Sequence, residues 1–249
     1  MGDVAQNQGP WWIKAILVGA VISLASMLIS ATGTRIGLWP FFGPGTMLLG
    51  ASVVLASAVM FLGLIAYVVC WVKGWSALRP GVLVSLILSL CVLWPMGSMF
   101  MTMTSLPVIN DISTDTIDPP KFNKLVAIRQ AANANPLNYD ADALVEQQQS
   151  AYPWVESLSS AQSPEIMMRS ALKAVEELGL DVIDVDPAAG LIEASATSFW
   201  FGFTDDLVIR VRAAEAGGSL LDIRSVSRVG RSDFGQNAKR IGAILEVLR

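Results

Sequence analysis

The sequence contains no histidine, only two cysteines, and charged side chains at just 15% of its 249 residues. Each shortage excludes some chemistry. Without histidine there is no imidazole base and no His-containing triad, and zinc loses its commonest ligand. Cys70 and Cys91 both lie in apolar runs, where they read as small buried hydrophobes. No cysteine follows Cys91, so residues 106–249 hold neither a thiol nucleophile nor a disulfide framework. Soluble domains carry about 25% charged residues. The low charge, set against 53% hydrophobic residues, indicates a membrane part joined to a soluble part.

Charge is also unevenly placed. Residues 1–105 hold Lys14, Arg35, Lys73 and Arg79 against Asp3 alone, a net of +3. Residues 106–249 hold 13 basic and 20 acidic side chains, a net of −7. So acidic a domain lacks the basic footprint of a nucleic-acid binder. Three uncharged stretches predict membrane helices at about 12–32, 47–72 and 80–104. Trp11, Trp12, Trp39, Trp71 and Trp75 sit where interfacial aromatics are expected. Ser52 and Ala56 form a small-xxx-small pair that suits close helix approach. The first span is long for a signal peptide and reads as an anchor.

Lys14 flanks the first span, and Lys73 and Arg79 lie in the second loop, whereas the first loop carries only Arg35. The positive-inside rule then places the N-terminus and second loop in the cytoplasm. Three crossings put the acidic part outside, in the periplasm if the membrane is a bacterial inner membrane. Met96, Met99, Met101 and Met103 close the third span. Thioethers suit Cu(I), so these four are a copper candidate, with simple filling of apolar helix surface as the competing reading. No cofactor is expected.

The soluble part divides into a stem and a domain. Residues 106–120 read as an extended acidic stem ending in two prolines. Asp111, Asp115 and Asp118 do not match the spacing of a calcium loop. Helical pieces follow near 121–134 and 140–150. Ser163-Pro164-Glu165 opens a helix whose stripe is Met168, Ala171, Leu172, Val175 and Leu178. Gly179 ends it. Alternating segments at 191–200, 207–213 and 219–228 predict strands, with a Gly217-Gly218 hairpin turn between the last two. A final helix starts at Ser232 or Asp233. The expected architecture is three transmembrane helices at 1–105, the stem, and an α+β domain at 121–249 with an antiparallel sheet and helices on one face.

Several separated motifs carry a family resemblance. The runs TSFWFGFTDDLVIRV at 197–211 and LLDIRSVSRVGRSDFGQNAKRI at 220–241 occur in order with NDISTDTIDPP and the Tyr152-Pro153 turn. Together they make residues 106–249 resemble the uncharacterised family catalogued as domain-of-unknown-function family 1499. The resemblance implies a domain boundary near residue 106 and a membrane setting in bacteria or plastid-bearing organisms. It brings no activity and no catalytic residues.

The densest candidate chemistry is in RSVSRVGRSDFGQNAKRI at 224–241. Arg224, Arg228, Arg231 and Arg240 approach the start of the last helix, and guanidinium forks suit phosphate or a lipid headgroup. The competing reading is a structural clasp, in which Arg224 to Arg228 lie on an exposed or edge face, Arg210 and Arg212 oppose Asp222, and Ser232 or Asp233 caps the helix. Gly230 and Gly235 are not followed by Lys-Ser or Lys-Thr, so no P-loop is present. Asp205 and Asp206 would point to opposite faces of one strand and cannot form a carboxylate dyad. Ser225 and Ser227 have only Lys239 as a conceivable base. No catalytic residue is therefore assigned. Phe199, Trp200, Phe201 and Phe203 exceed what one alternating strand buries on one face, and are contact candidates for the membrane, the spans or a partner subunit. The favoured function is a non-catalytic interaction or accessory module in a membrane complex, in contact with membrane lipids and with a protein partner or a second copy. Headgroup or small-anion binding is the alternative, and an envelope hydrolase of unusual type comes third.

Overall fold

A computed structural model of the chain describes residues 10–249. They form two compact units. One holds the helices up to Met101 together with Phe199–Gly202, and the other holds Thr102–Ser198 and Phe203–Arg249.

In the first unit, three helices are long and apolar enough to cross a membrane: α1 (Trp11–Arg35), α2 (Thr46–Val72) and α3 (Arg79–Ser105). The α1–α2 contact is built on small residues. Ser52, Ala56, Gly63, Ala66 and Cys70 form the buried stripe of α2, and a Cβ on Gly19 of α1 would come within 2.9 Å of Val59. Buried serines return their hydroxyls to backbone oxygens: Ser23 to Ala20, Ser89 to Ser85, and Ser30 to Gly45. No hydroxyl proton among these three is left without an acceptor, as an apolar surrounding requires. Cys70 is buried, as expected, but Cys91 is exposed. The inward stripe of α3 is Val82, Ser85, Ser89 and Val92, and nine residues of helical rotation carry Cys91 to the opposite side.

The second unit is a six-stranded antiparallel sheet with helices. Its strands are β1 (Asp111–Ser113), β2 (Leu158–Ser160), β3 (Asp181–Asp186), β4 (Leu191–Thr197), β5 (Thr204–Ala213) and β6 (Ser219–Ser227). The order is β1-β6-β5-β4-β3, and β2 also pairs with β6. The outer edge of β6 is thus covered twice, by β1 along Arg224–Val226 and by β2 along Ser219–Leu221. Residues 106–120 are therefore not a free stem throughout: Asp111–Ser113 is a strand, and Ile112 is fully buried. A strand of three residues is too short to announce itself by alternation.

Register fixes the two faces. Ile192 lies opposite Ile209, and Ile209 opposite Ile223. With Ala194, Leu207, Val211 and Leu221 they form the apolar face, which packs on α6 (Pro164–Glu177) and α7 (Gln236–Leu248). The buried residues of α6 are Met167, Met168, Ala171, Ala174 and Val175, the expected stripe shifted slightly. Helix α7 begins later than expected, because Phe234 (φ 53) and Gly235 (φ 79) are both left-handed. The strand expected over 191–200 stops at Thr197, and Trp200 belongs to the loop that follows.

The other face is covered as well. Helix α4 (Lys124–Ala131) and its flanks set Phe122, Leu125, Val126 and Leu137 against Val208 and Val226. A further helix, α5 (Ala141–Ala151), inserts the Gln148 amide between the N–H and C=O of Ser113 (3.0 and 2.7 Å), which fixes β1 from its outer side. The two amphipathic helices thus share one face, and eight-residue α4 supplies a second, smaller cover.

Gly190 opens β4 with φ +67 and accepts a hydrogen bond from the Val211 N–H at 2.8 Å. A Cβ there would meet the Val211 carbonyl oxygen at 2.2 Å. Gly190→Ala is expected to destabilise the domain by at least about 1–2 kcal/mol through the left-handed backbone alone. Thermal unfolding of the full chain in detergent measures this, and a wild-type midpoint would contradict it.

Candidate functional site

The sheet face under α4 carries a row of charges. Glu193, Asp206, Arg210, Asp222, Arg224 and Arg228 occupy alternate positions of β4, β5 and the β6 segment, opposite the apolar face. Such a pattern normally marks a solvated face. Here Glu193, Asp206, Asp222 and Arg224 are all buried. The expectation that Arg224 stands on an exposed or edge face is therefore corrected: it is 3% exposed.

Asp206 lies at the centre and is fully buried. Arg228 grips it with both nitrogens of its fork, Nε to Oδ2 at 2.8 Å and Nη2 to Oδ1 at 2.7 Å. Arg129 of α4 donates to Oδ2 at 2.7 Å, and the Ser195 hydroxyl to Oδ1 at 2.7 Å. Burial alone would raise the pKa of Asp206. Hydrogen bonds from Arg228, Ser195 and Arg129 outweigh it and hold the pKa below its ordinary value. The Nη1 and Nη2 groups of Arg129 also donate to the carbonyls of Val226, Ser227 and Asn135, while its buried Nε has no partner among the described residues.

Arg224 forms a second closed pair, donating to Asp111 from Nε (3.0 Å) and Nη2 (2.7 Å). Its remaining donors reach the carbonyls of Pro120 and Leu137, and its plane lies over the rings of Phe122 and Tyr139. Burial, and next the nearby Asp111 charge, push the Tyr139 pKa up to about 12. Arg210 binds Asp222 (3.0 Å), Asp115 (3.1 Å) and Asp118 (2.8 Å), and Arg212 reaches Asp115 and Asp222. The expected opposition of Arg210 and Arg212 to Asp222 is present. On the apolar side, Arg240 binds Asp205 at 2.8 Å and the side chains of Asn237 and Ser225.

Of the four arginines considered for anions, Arg224, Arg228 and Arg240 therefore hold carboxylates of the chain itself. Arg231 is exposed and makes no ion pair among the described residues. The start of α7 is occupied too. Asp233, 7% exposed, accepts from the N–H groups of Gly235 (2.9 Å) and Asn237 (2.7 Å). Its pKa is raised, because burial outweighs those two bonds. A second helix start is filled in the same way. Glu193 accepts from the backbone of Asn123, Lys124 and Leu125, and so caps α4 from a neighbouring strand.

The residues weighed for catalysis are drawn into the same network. Ser225 donates to Asn237 Oδ1 at 2.7 Å, and Ser227 Oγ accepts from Asn237 Nδ2 at 3.0 Å. Asp205 and Asp206 diverge to opposite faces. Asp111, Asp115 and Asp118 serve Arg224, Arg210 and Arg212. Among the described residues no group of three His, Cys, Asp or Glu side chains is placed to hold a metal ion. Met96, Met99 and Met103 fall on one side of α3 and Met101 nearly opposite, so helical phase does not converge the four sulfurs.

The aromatic candidates divide between the units. In the first, the Arg35 guanidinium donates to the Phe199 carbonyl at 2.5 Å and lies over its ring. Phe201 meets Phe41 edge-on at 5.0 Å, and Trp200 packs against Phe199 at 5.4 Å. In the second, the Phe203 N–H donates to Ser198 Oγ and its carbonyl accepts from the Ser198 N–H, which closes the β4–β5 loop.

Sequence reasoning passed over Arg129, Glu193 and the pairing of Asp111 with Arg224. The available signal was a charged or polar residue at most alternate positions of three successive strands, broken by Val208 and Val226, which fits a buried charged face as well as a solvated one.

The profile of the family described as Protein of unknown function (DUF1499) matches residues 111–248. A search of curated proteins finds no match.

Removing the Asp206 carboxylate leaves the buried Arg129 and the half-buried Arg228 guanidiniums uncompensated. Asp206→Asn is expected to cost about 3–5 kcal/mol near neutral pH, whereas Arg231→Ala should stay within about 0.5 kcal/mol. The folded pKa of Asp206 lies below the unfolded value, so its stabilisation is full above the unfolded pKa and is lost as pH falls through the folded one. The gap between wild type and Asp206→Asn should therefore close in acid. Urea unfolding from pH 7 down to about pH 3 reads this, and a pH-independent gap would refute it.

Proposed function

The chain belongs to the DUF1499 family, and on that premise we propose that it is a non-catalytic integral membrane protein whose α+β domain is an interaction or accessory-subunit module in a membrane complex. The observation that carries this is the closure of the charged network. Asp205, Asp206, Asp222, Asp233, Arg224, Arg228, Arg240, Ser225 and Ser227 are each bonded to other side chains of the domain or to its backbone. Groups so committed position a fold; a reacting group needs a free lone pair or proton near a substrate.

The headgroup or small-anion alternative rests on Arg231 alone, beside a helix start that already carries Asp233. A hydrolase would have to release Ser225 or Ser227 from Asn237 and recruit exposed Lys239 as its base. Neither has the support that an interaction role has.

Location follows from charge. Lys14, Lys73 and Arg79 favour a cytoplasmic N-terminus and second loop, which sends the α+β domain across, into the periplasm if the membrane is a bacterial inner membrane. An alkaline phosphatase fused to the C-terminus is expected to be active, and a green fluorescent protein there dark; the opposite pair of results overturns the placement. Purified in mild detergent, the full chain is expected to bring a stoichiometric partner or to self-assemble. A clean monomer without a partner would overturn the module.

A further inference from the structure

The sheet has one covered edge and one open edge. The outer edge of β6 is paired by β1 and β2, whereas β3 pairs only with β4 among the described residues. We propose that β3 accepts an extended basic segment of a partner protein as an added strand, seated along the groove between β3 and α6. This deepens the interaction role above and rests on it.

Three features define the segment. First, β3 is two-faced. Val182 and Val185 lie opposite Ala194 and Ile192 of the apolar face and so stand on the α6 side, while Asp181, Asp184 and Asp186 stand on the other. Second, the α6 side is concave and mostly apolar, with Glu165 and Arg169 of α6 as charged members of its lining. A cavity of about 510 Å³ is lined by Met168 and Leu172 of α6, Val185 and Pro187 along β3 and its turn, and Val211 and Arg212 of β5. Third, the carboxylates of Asp181 and Asp184 have no cation or hydrogen-bond donor among the described residues, unlike those beneath α4. An incoming strand lays its alternate side chains on opposite faces. Its inner row would fill the apolar groove and its outer row would run along the aspartates, so apolar and basic residues must alternate. Main-chain bonds supply affinity in such strand addition, and the groove supplies selectivity.

Charge selects among occupants. A second copy pairing β3 on β3 would bring like charges side by side, which is unfavourable. An anionic lipid surface would be repelled by the same row. The register shift between Val182 and Asp184 marks a bulge, a device that discourages indiscriminate edge pairing. It leaves Asp184–Asp186 as the unbroken stretch, so the groove must complete the recognition.

The probe is a fluorescein-labelled KVKVKV peptide, titrated by anisotropy against the full chain in an uncharged maltoside detergent. Saturable binding is expected, weakened at least about tenfold, or 1.4 kcal/mol, by Asp181→Lys with Asp184→Lys. N-methylation of alternate peptide amides and the block sequence KKKVVV should each weaken it comparably, since both spoil strand pairing while keeping the charge. The reversed residues lie on the sheet edge, and an unchanged circular-dichroism melt confirms that the variant folds. Equal affinity for wild type and variant, equal affinity for KVKVKV and KKKVVV, or no saturation below about 1 mM overturns the proposal. Co-purification in mild detergent keeps the two ideas apart. A partner retained equally by wild type and the double variant refutes the β3 edge and leaves the module intact. Edge binding of the peptide without any partner or self-assembly refutes the module and leaves the edge.

Discussion

The α+β domain depends on one buried carboxylate. Asp206 has no exposed surface and holds Arg129 from α4, Arg228 from the end of β6 and Ser195 from β4. Burying a charge is costly, and only close, multiple hydrogen bonds return the cost. The pair of guanidiniums on Asp206 meets that condition. It also fixes geometry, because the two parallel bonds from Arg228 set the plane of the carboxylate and the single bond from Arg129 sets where α4 must lie. Arg129 can reach Asp206 only with α4 laid across the sheet, and its Nη1 and Nη2 groups then also meet the carbonyls of Asn135, Val226 and Ser227. The cover of the second face is thus a consequence of the ion pair as much as of the small apolar contact around Leu125 and Val208.

The two faces are held by different physics. The α6–α7 face is an ordinary apolar core, held by a force roughly proportional to area and indifferent to direction. The α4 face is held by directional bonds, mostly between carboxylates and guanidiniums, and the starts of α4 and α7 are each met by a carboxylate. Glu193 substitutes for a local cap on α4, whose Asn123 makes no side-chain capping bond. Asp233 does the same for the first turn of α7. The linkage consequences differ in sign. Asp206, with its pKa lowered, favours the fold above the acid range, whereas Asp233, with its pKa raised, favours it most below its unfolded pKa and gives up that advantage as pH rises through the folded value.

Much of this architecture was legible in the residues. The three long apolar helices were, since each follows from about 20 uncharged apolar residues in a row. Helix α6 was, from the Ser163-Pro164-Glu165 start and its stripe, and so was the hairpin at Gly217 and Gly218, both of positive φ. The charged face was not. Alternation in β4, β5 and β6 reveals two faces without saying whether the polar one meets water or another layer. That depended on an eight-residue helix and on the three-residue strand β1, both too short to show a period. Arg129 had no local mark to separate it from Arg169, because its partner lies 77 positions away. The true start of α7 was hidden by Phe234, a non-glycine residue in the left-handed region, which no propensity argument would place there.

The internal charges also say which sign of partner the domain suits. In the second unit the bidentate forks of Arg224 and Arg228 are closed on the chain's own carboxylates, and so are the N-termini of α4 and α7. The places where an outside phosphate or carboxylate would bind most tightly are therefore already occupied. The acidic excess of residues 106–249 cannot be neutralised within the domain and must remain at the surface. Along β3 that excess meets unpaired backbone and a mostly apolar groove, so charge, hydrogen bonding and burial would all be satisfied by the same kind of ligand, one that is cationic, extended and apolar on one side. Agreement of three independent physical demands at one edge is a stronger pointer than a cluster of arginines whose demands have already been met from within.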